Sequence, residues 1–160
     1  MDDNAALFAA LRDQILNLNP AAVGLAAAVT GRPLWGALLE LGYPAGTATL
    51  VCLADGTTSL YTDGGFGVIG GGAHEPVVAA NGAFLTAVEE RLDHFVTETD
   101  APVPRTHRVI LRALTYTGRR RADVPEELLG RGQHPLSPAF RAGHEVISAL
   151  RTIPPHGDSE

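Results

Sequence analysis

The chain has 160 residues, of which 45% are hydrophobic and 19% charged, with a net charge of −6; this composition fits one globular domain and excludes a disordered chain. The single cysteine, Cys52, excludes an intrachain disulfide and a multi-cysteine zinc or iron–sulfur site. All 12 basic residues are arginine, which excludes Schiff-base chemistry, a lysine general base and a phosphate-loop lysine.

Charge is distributed unevenly along the chain. Residues 1–104 contain 3 arginines and 12 acids (−9), residues 105–121 contain 6 arginines and no acid (+6), and residues 122–160 contain 3 arginines and 6 acids (−3). One confined basic segment does not supply a broad cationic field, so we expect no nucleic-acid partner. There is no apolar run of about 18 residues, and the acidic N-terminus is unlike a secretion signal, so we expect a cytoplasmic protein with no membrane association.

The N-terminal segment predicts a helix. Asp2, Asp3 and Asn4 offer side-chain oxygens that can cap its first turn. Its apolar stripe is predicted to consist of Leu7, Phe8, Leu11, Ile15 and Leu18. Asn19-Pro20 ends this helix and can begin another, and the following sequence AAVGLAAAVTG is either a short helix or a close-packed connector.

From Leu34 the pattern favours a strand, although the abundance of helix formers leaves a helix as the competing interpretation. In the strand, Trp35 is expected to share a face with Ala37, and Glu40 to point to the opposite face. The full set predicted for the first face is Trp35, Ala37, Leu39 and Leu41.

Asp55-Gly56 lies between two runs rich in β-branched and apolar residues, 47–54 and 57–62, and this pattern predicts a β-hairpin. With a two-residue turn, Leu53 faces Thr58 and Val51 faces Leu60. Val51, Leu53 and Leu60 then share one face of the hairpin, and Leu50, Cys52 and Tyr61 share the other.

A glycine-rich loop follows the hairpin. Its residues 65–70, GFGVIG, match the dinucleotide-binding fingerprint and lie between a strand and a helix that begins near Pro76. Three observations oppose a nucleotide site: the preceding hairpin is antiparallel, no basic residue lies between Arg32 and Arg91, and acids flank the loop. We therefore favour a tight connector or an oligomer contact. The alternative is a site for a small anionic ligand or nucleotide, formed by Gly67, Gly70, Gly71, Gly72 and His74.

The remaining sequence predicts one long helix through Glu98, one strand over 108–117 and two further helices. Val77, Phe84, Val88, Leu92 and Phe95 form the apolar stripe of the long helix. Gly82 in this helix predicts a close crossing of another backbone. A capping-box pattern at Asp123 predicts a short helix, and Ser137 begins the last one, whose buried stripe is predicted to be Phe140, Gly143, Ile147 and Leu150.

These elements predict an α+β fold, with a mostly antiparallel sheet of about four strands covered by a long central helix and terminal helices. Residues 1–153 are expected to form a single domain, and residues 154–160 a flexible tail.

Arginines provide the second candidate site. Arg108 and Arg112 share a strand face, and Arg119, Arg120 and Arg121 follow at its end. One interpretation is a solvated face that pairs with acids of the long helix or of another subunit. The other is a contact site for an anion or an acidic partner, with the apolar loop residues Phe66 and Ile69 as further contacts.

No pattern in the sequence indicates catalysis. The histidines lack metal-ligand spacing and no nucleophile-elbow motif is present, so we assign no catalytic residue, metal site or cofactor. A hydrolase would require a histidine within hydrogen-bond reach of Ser59, Ser137 or Ser148.

The segment GYPAGTATLVCLADGTTSLYTDGGFGVIGGGAHE resembles a stretch of bacterial proteins that carry no assigned activity. The order of elements is also similar to the roadblock/longin and profilin-like modules, which dimerise or dock regulatory partners; those folds have more strands after the central helix. The lack of catalytic groups, together with an apolar glycine-rich loop (Phe66, Val68 and Ile69) and a confined arginine face, leads us to expect a non-enzymatic module that forms a homo-oligomer and docks a protein partner.

Overall fold

The computed structural model describes residues 3–64, 67–69 and 74–152. Phe66, Gly70, Gly71, Gly72 and the predicted tail 154–160 therefore lie outside the described residues.

Five helices and seven strands make up the described chain. The helices are α1 Asp3–Leu16, α2 Ala27–Thr30, α3 Glu75–Glu89, α4 Glu126–Gly130 and α5 Ser137–Arg151, with 3₁₀ turns at Pro20–Val23 and Leu92–His94. The strands are β1 Leu34–Tyr43, β2 Gly46–Leu53, β3 Thr58–Thr62, β4 Gly67–Ile69, β5 Val96–Thr97, β6 Arg108–Thr115 and β7 Gly118–Pro125.

All the strands form one antiparallel sheet in the order β4-β3-β2-β1-β6-β7-β5. The α+β class with an antiparallel sheet is confirmed, whereas the predicted number of about four strands is wrong. The difference is in β4, β5 and β7, which are short or polar and were not predicted from the sequence. The long strands β1 and β6 lie in the middle, and the edge strands β4 and β5 have 3 and 2 residues.

Helices cover both faces of the sheet. On one face α3 and α5 pack together over the larger core, which contains Leu39, Phe84 and Ile147. On the other face α1 packs over a smaller core that contains Phe8, Trp35 and Leu38. The predicted long central helix therefore shares one face with α5, and a terminal helix covers the opposite face.

The N-terminal predictions hold in most details. Of the predicted stripe, Phe8 is buried and Leu11, Ile15 and Leu18 pack against the smaller core. Leu7 was also predicted in the stripe but is 59% exposed, and Leu16, which was not predicted, is buried. Asn19 caps the following 3₁₀ turn, where its side-chain oxygen accepts a hydrogen bond from the Ala21 amide at 3.0 Å.

A β-bulge in β1 changes the predicted face of Trp35. The pairing of β1 with β6 shifts between Leu34 and Gly36. Because the bulge adds one residue, Leu34 and Ala37 both face the larger core, while Trp35 faces α1. The predicted common face of Ala37, Leu39 and Leu41 is confirmed, and the assignment of Trp35 to it is wrong.

The β2–β3 hairpin forms where it was predicted, but its register differs by one residue. Leu50 pairs with Leu60, and the Leu53 amide donates to the Thr57 carbonyl at 2.9 Å. The loop thus has three residues and ends at Gly56, whose φ is +96°, a left-handed conformation that favours glycine. Because a one-residue slip reverses the faces of a strand, Leu60 faces the larger core and Tyr61 faces α1.

After β6 the chain turns back instead of beginning a helix. Thr115 pairs with Gly118, so the predicted strand over 108–117 ends earlier, and the arginine-rich residues that follow form β7. Asp123 is paired with Ile110 within this strand, so its predicted role in a capping box is wrong. The following helix, α4, begins at Glu126 without a side-chain cap.

Close packing of helices occurs at a different glycine from the one predicted. Helix α3 ends at Glu89, before the predicted Glu98, and a Cβ added at Gly82 would meet no described atom within 4 Å. In α5, by contrast, a Cβ at Gly143 would lie 2.6 Å from Leu39 Cδ2 and 3.2 Å from Phe84 Cε1. The start of α5 at Ser137 and its predicted buried stripe are confirmed.

Candidate functional site

Most of the predicted arginine site lies on the sheet face that α1 covers. Alternation along β6 and β7 places Arg112, Arg119 and Arg121 on this face, where they contact acids or α1. Arg120 points to the opposite face, which also carries Ala122. The sheet therefore brings together three of the five arginines beneath α1, leaves Arg108 at the end of β6, and separates Arg120 from the others.

Glu40 of β1 is one centre of this cluster. Its carboxylate accepts hydrogen bonds from Arg12 Nε at 2.7 Å, from Arg12 Nη2 at 3.0 Å and from Thr49 Oγ1 at 2.6 Å, and it also pairs with Arg112 Nη1. The side chains of Glu40 and Arg112 are completely buried. Glu40 thereby joins α1, β2 and β6 to the central strand.

Glu98, which follows β5, is the second centre. Its Oε2 accepts from Arg112 Nε at 2.9 Å and from Arg119 Nε at 3.0 Å, and its Oε1 accepts from Arg121 Nη1 at 3.4 Å. Arg112 and Arg121 are directly paired across β6 and β7, so the Glu98 carboxylate separates two like charges. We name these residues the arginine network. It comprises Arg12, Glu40, Thr49, Glu98, Arg112, Arg119 and Arg121.

Electrostatics of the network follow from burial and pairing. Burial lowers the pKa of Arg12, but its hydrogen bond and charge interaction with Glu40 raise that pKa overall. Burial and the Glu40 charge raise the pKa of Tyr61 to about 12. Paired buried charges of this kind contribute little net stability, while loss of one partner typically costs about 3–5 kcal/mol. The arrangement specifies how the strands and α1 meet more than it stabilises them.

The predicted pairing of these arginines is corrected in part. They pair within the chain with Glu40 of β1 and with Glu98, which was predicted at the end of the long helix and in the structure follows β5, outside α3. The acid of the long helix that forms an ion pair is Glu89, which accepts from Arg32 Nε at 2.7 Å. Since the side chain of Arg112 has no exposed surface, it cannot contact a partner while the network is intact.

The sequence contains a pattern that could have predicted the pair Glu40–Arg112. Glu40 is the only charged residue of β1, and Arg112 is the only charged residue of β6 beyond its first position, Arg108. Lone opposite charges within two apolar strands indicate a buried pair, because burial of either charge alone is prohibitive.

The predicted ligand site at the glycine-rich loop is described only at its ends. Gly67 pairs with Tyr61 in the antiparallel β3–β4 ladder, so its backbone belongs to the sheet. Ile69 pairs with Ser59 in the same ladder. His74 precedes α3 in an extended conformation, and its side chain forms no capping hydrogen bond there. The participation of Gly70, Gly71 and Gly72 in ligand binding stays a prediction.

Ser137 and His144, two potential catalytic groups, are not arranged as a catalytic pair. Ser137 Oγ and His144 Nε2 are both buried without a hydrogen-bond partner among the described residues, but they lie on one helix seven residues apart, about 10 Å along its axis. Burial raises the pKa of the Cys52 thiol, which disfavours the reactive thiolate. The described residues contain no cluster of three or more side chains suited to a metal ion.

The segment 20–30, which we call the N-terminal surface, is a different kind of candidate. Val23 is 45% exposed and Val29 is 71% exposed, and residues 14–31 contain no charged residue. The segment is nonetheless firmly attached. Leu25 is buried, and the Tyr116 hydroxyl donates to its carbonyl at 2.6 Å and lies 2.7 Å from Thr30 Oγ1.

Comparison of the chain with protein-family models, curated proteins and solved structures found no match. The resemblances drawn from the sequence therefore stay predictions. None of the described helices combines the length and apolar character needed to cross a membrane.

Proposed function

We propose that this chain is an interaction module that self-associates through the N-terminal surface and docks a protein partner. The observation that carries the proposal is an uncharged surface that exposes Val23 and Val29 and is fixed to the domain by Tyr116 and Leu25. Exposed apolar residues on a rigid support are typical of protein contacts, since little conformational entropy is lost on binding.

A second copy of the chain is the occupant that the charges favour. The chain carries a net charge of −6, so two copies repel each other over most of their surface. An uncharged surface is where this repulsion is weakest, and in a two-fold dimer it meets itself without any need for complementary charge. An acidic or basic partner, in contrast, would find no opposite charge in residues 14–31.

Other parts of the described chain are less suited to self-association. The two sheet edges present strands of 3 and 2 residues, too short to pair extensively with another chain. The arginines of β6 and β7 on the α1 face are paired with acids of the same chain. Arg120, together with Phe66 and Ile69 of the glycine-rich region, remains our candidate contact for a protein partner with an acidic surface.

Substitution of Val29 by glutamate tests the proposal, because it places a charge at the centre of the proposed contact. The wild-type protein is expected to increase in mass across a concentration series by multi-angle light scattering, and Val29→Glu to remain a monomer. Val78→Glu is the matched control, since Val78 is 41% exposed and belongs to α3, outside residues 20–30. A strictly monomeric wild-type protein, or equal loss of association in both variants, contradicts the proposal.

A further inference from the structure

We propose that the arginine network contains a concealed binding site for a carboxylate ligand, which Glu98 occupies in this structure. Three guanidinium groups, from Arg112, Arg119 and Arg121, donate to the single Glu98 carboxylate. Guanidinium groups recognise any carboxylate by the same charge-assisted hydrogen bonds, so the site has no intrinsic preference for a carboxylate of its own chain.

The segment that supplies Glu98 has few backbone hydrogen bonds to the rest of the domain. We call residues 96–106 the strap. Its strand β5 has 2 residues, and the amide of Glu98 donates to the Arg119 carbonyl at 3.1 Å. No amide of residues 99–106 donates a hydrogen bond to a described group. Such segments open at low free-energy cost compared with the core of a domain.

The arginines supply the side-chain hydrogen bonds that hold the strap, in addition to the packing of Ala101 on the smaller core and of the buried Pro104 beside Gly42. Besides the Glu98 contacts, the Pro102 carbonyl accepts from Arg12 Nη2 at 3.0 Å and from Arg112 Nη2 at 2.6 Å, and Asp100 accepts from Arg121 at 3.1 Å. A ligand carboxylate that replaces Glu98 therefore competes for the groups that keep the strap closed. The exchange conserves the ion pairs of the Glu98 carboxylate, so the ligand must offset the cost of opening the strap and the entropy that the ligand loses on binding.

Charge in the site favours entry of an anion once the strap is open. The network would then contain one acid, Glu40, and four arginines, which are Arg12, Arg112, Arg119 and Arg121. Its net charge would be +3. In a chain of net charge −6, this is a concentrated positive site. The ligand class is a carboxylate, either free or on an acidic peptide.

The first experiment asks whether the arginines accept a carboxylate from solution. Glu98→Ala leaves the three guanidinium groups without their acceptor, and its melting temperature is compared in sodium formate and in sodium chloride of equal concentration. We expect Glu98→Ala to melt several degrees below the wild type and to recover most of this loss in formate. Glu89→Ala, which removes the partly exposed acid paired with Arg32, is expected to show no preference for formate. Equal melting temperatures of Glu98→Ala in both salts overturn the proposal.

The second experiment uses the wild-type protein and does not depend on the folding of any variant. Hydrogen exchange of the Glu98 amide, which donates to the Arg119 carbonyl, is measured with formate and, separately, with a tri-glutamate peptide. We expect about a tenfold increase in its exchange rate with at least one of the two, while the amides of β1 keep their protection. An effect of formate identifies small carboxylates as sufficient ligands, and an effect of the peptide alone identifies an acidic protein segment. Unchanged exchange with both overturns the proposal, even if Glu98→Ala responds to formate.

Discussion

The hydroxyl of Tyr61 is buried beneath α1 without a hydrogen-bond partner among the described residues, whereas its ring packs edge-on against Phe8 with centroids 5.7 Å apart. A buried hydroxyl without a partner loses the hydrogen bonds that it makes to water when the chain is unfolded, a cost of about 1–3 kcal/mol. Tyr61→Phe keeps the ring contact and removes this cost. We expect the free energy of unfolding in urea to increase by about 1 kcal/mol.

Tyr116→Phe provides the control, because the Tyr116 hydroxyl contacts Thr30 Oγ1 and the Leu25 carbonyl and its loss should destabilise the protein. The two variants should also differ at high pH. Burial raises the pKa of Tyr61 from 10.0 to about 12, so the stability linked to this group is present below pH 10 and is lost as pH rises towards 12. Tyr61→Phe should remove this alkaline loss. Destabilisation by Tyr61→Phe at neutral pH would contradict the prediction.

At the scale of single residues, the sequence identifies which side chains are buried more reliably than it identifies their partners. Phe84 and Ile147 could be predicted because their helical spacing depends only on neighbouring residues. The partner of Glu40 could not be predicted in the same way, because Arg112 is 72 positions away and approaches only after β1 and β6 pair. The predicted face of Tyr61 was wrong for a simpler reason. The β2–β3 loop has one residue more than predicted, and this shift exchanges the two faces of β3.

Gly82 and Gly143 allow a matched prediction at the scale of helices. Both lie inside helices, where glycine is less favourable than alanine by about 1 kcal/mol. Gly82→Ala meets open space, so we expect it to stabilise the protein by about 0.5–1 kcal/mol. Gly143→Ala places its Cβ 2.6 Å from Leu39 Cδ2, and we expect destabilisation by about 1–3 kcal/mol.

Thermal or urea unfolding of the two alanine variants separates local helix propensity from packing. The order of stability should be Gly82→Ala, wild type, Gly143→Ala. If both substitutions stabilise the protein, α5 does not approach Leu39 of β1 and Phe84 of α3 as closely as the structure indicates.

Strands and helices were predicted well where one period applies to the whole element. Helix α5 began at the expected residue because Ser137-Pro138 is followed by an uninterrupted helical stripe. In β1 the bulge interrupts the alternation, so no single period fits both Trp35 and Ala37. In β7 the sequence alternates from Arg121 to Val124, but Arg121 points into the network and Asp123 pairs with Arg108. The strand was not predicted because its polar face does not simply face solvent.

At the scale of the whole molecule, the fold pairs acids and arginines that lie in separate parts of the sequence. The acidic first 104 residues supply Glu40, Glu98 and Asp100 to arginines of the basic segment 105–121. The basic segment therefore forms less of a positive surface than its sequence indicates. The same pairing makes the strap dependent on the arginines, and this dependence underlies the proposed carboxylate site.

Acid pH is expected to destabilise the whole domain through His144. Burial lowers the pKa of His144 below its ordinary value of 6.5; of the charges that face it, Glu126 partly offsets this effect and Arg151 reinforces it. Its Nε2 is buried without a partner in the described chain, and its ring packs edge-on against Phe140 at 4.4 Å. Because the folded-state pKa is lower than the unfolded one, the linked stability is present above pH 6.5 and is lost as pH falls through the lowered value.

The free energy of unfolding should therefore decrease between about pH 7.5 and about pH 5, and His144→Gln should reduce this dependence, since glutamine does not titrate. Urea unfolding at several pH values measures the slope. His134, whose pKa is lowered by burial and by His94, accounts for part of the slope that remains. An identical slope for the wild type and His144→Gln would contradict the prediction, because it would show that titration of His144 does not contribute to the pH dependence of the free energy of unfolding.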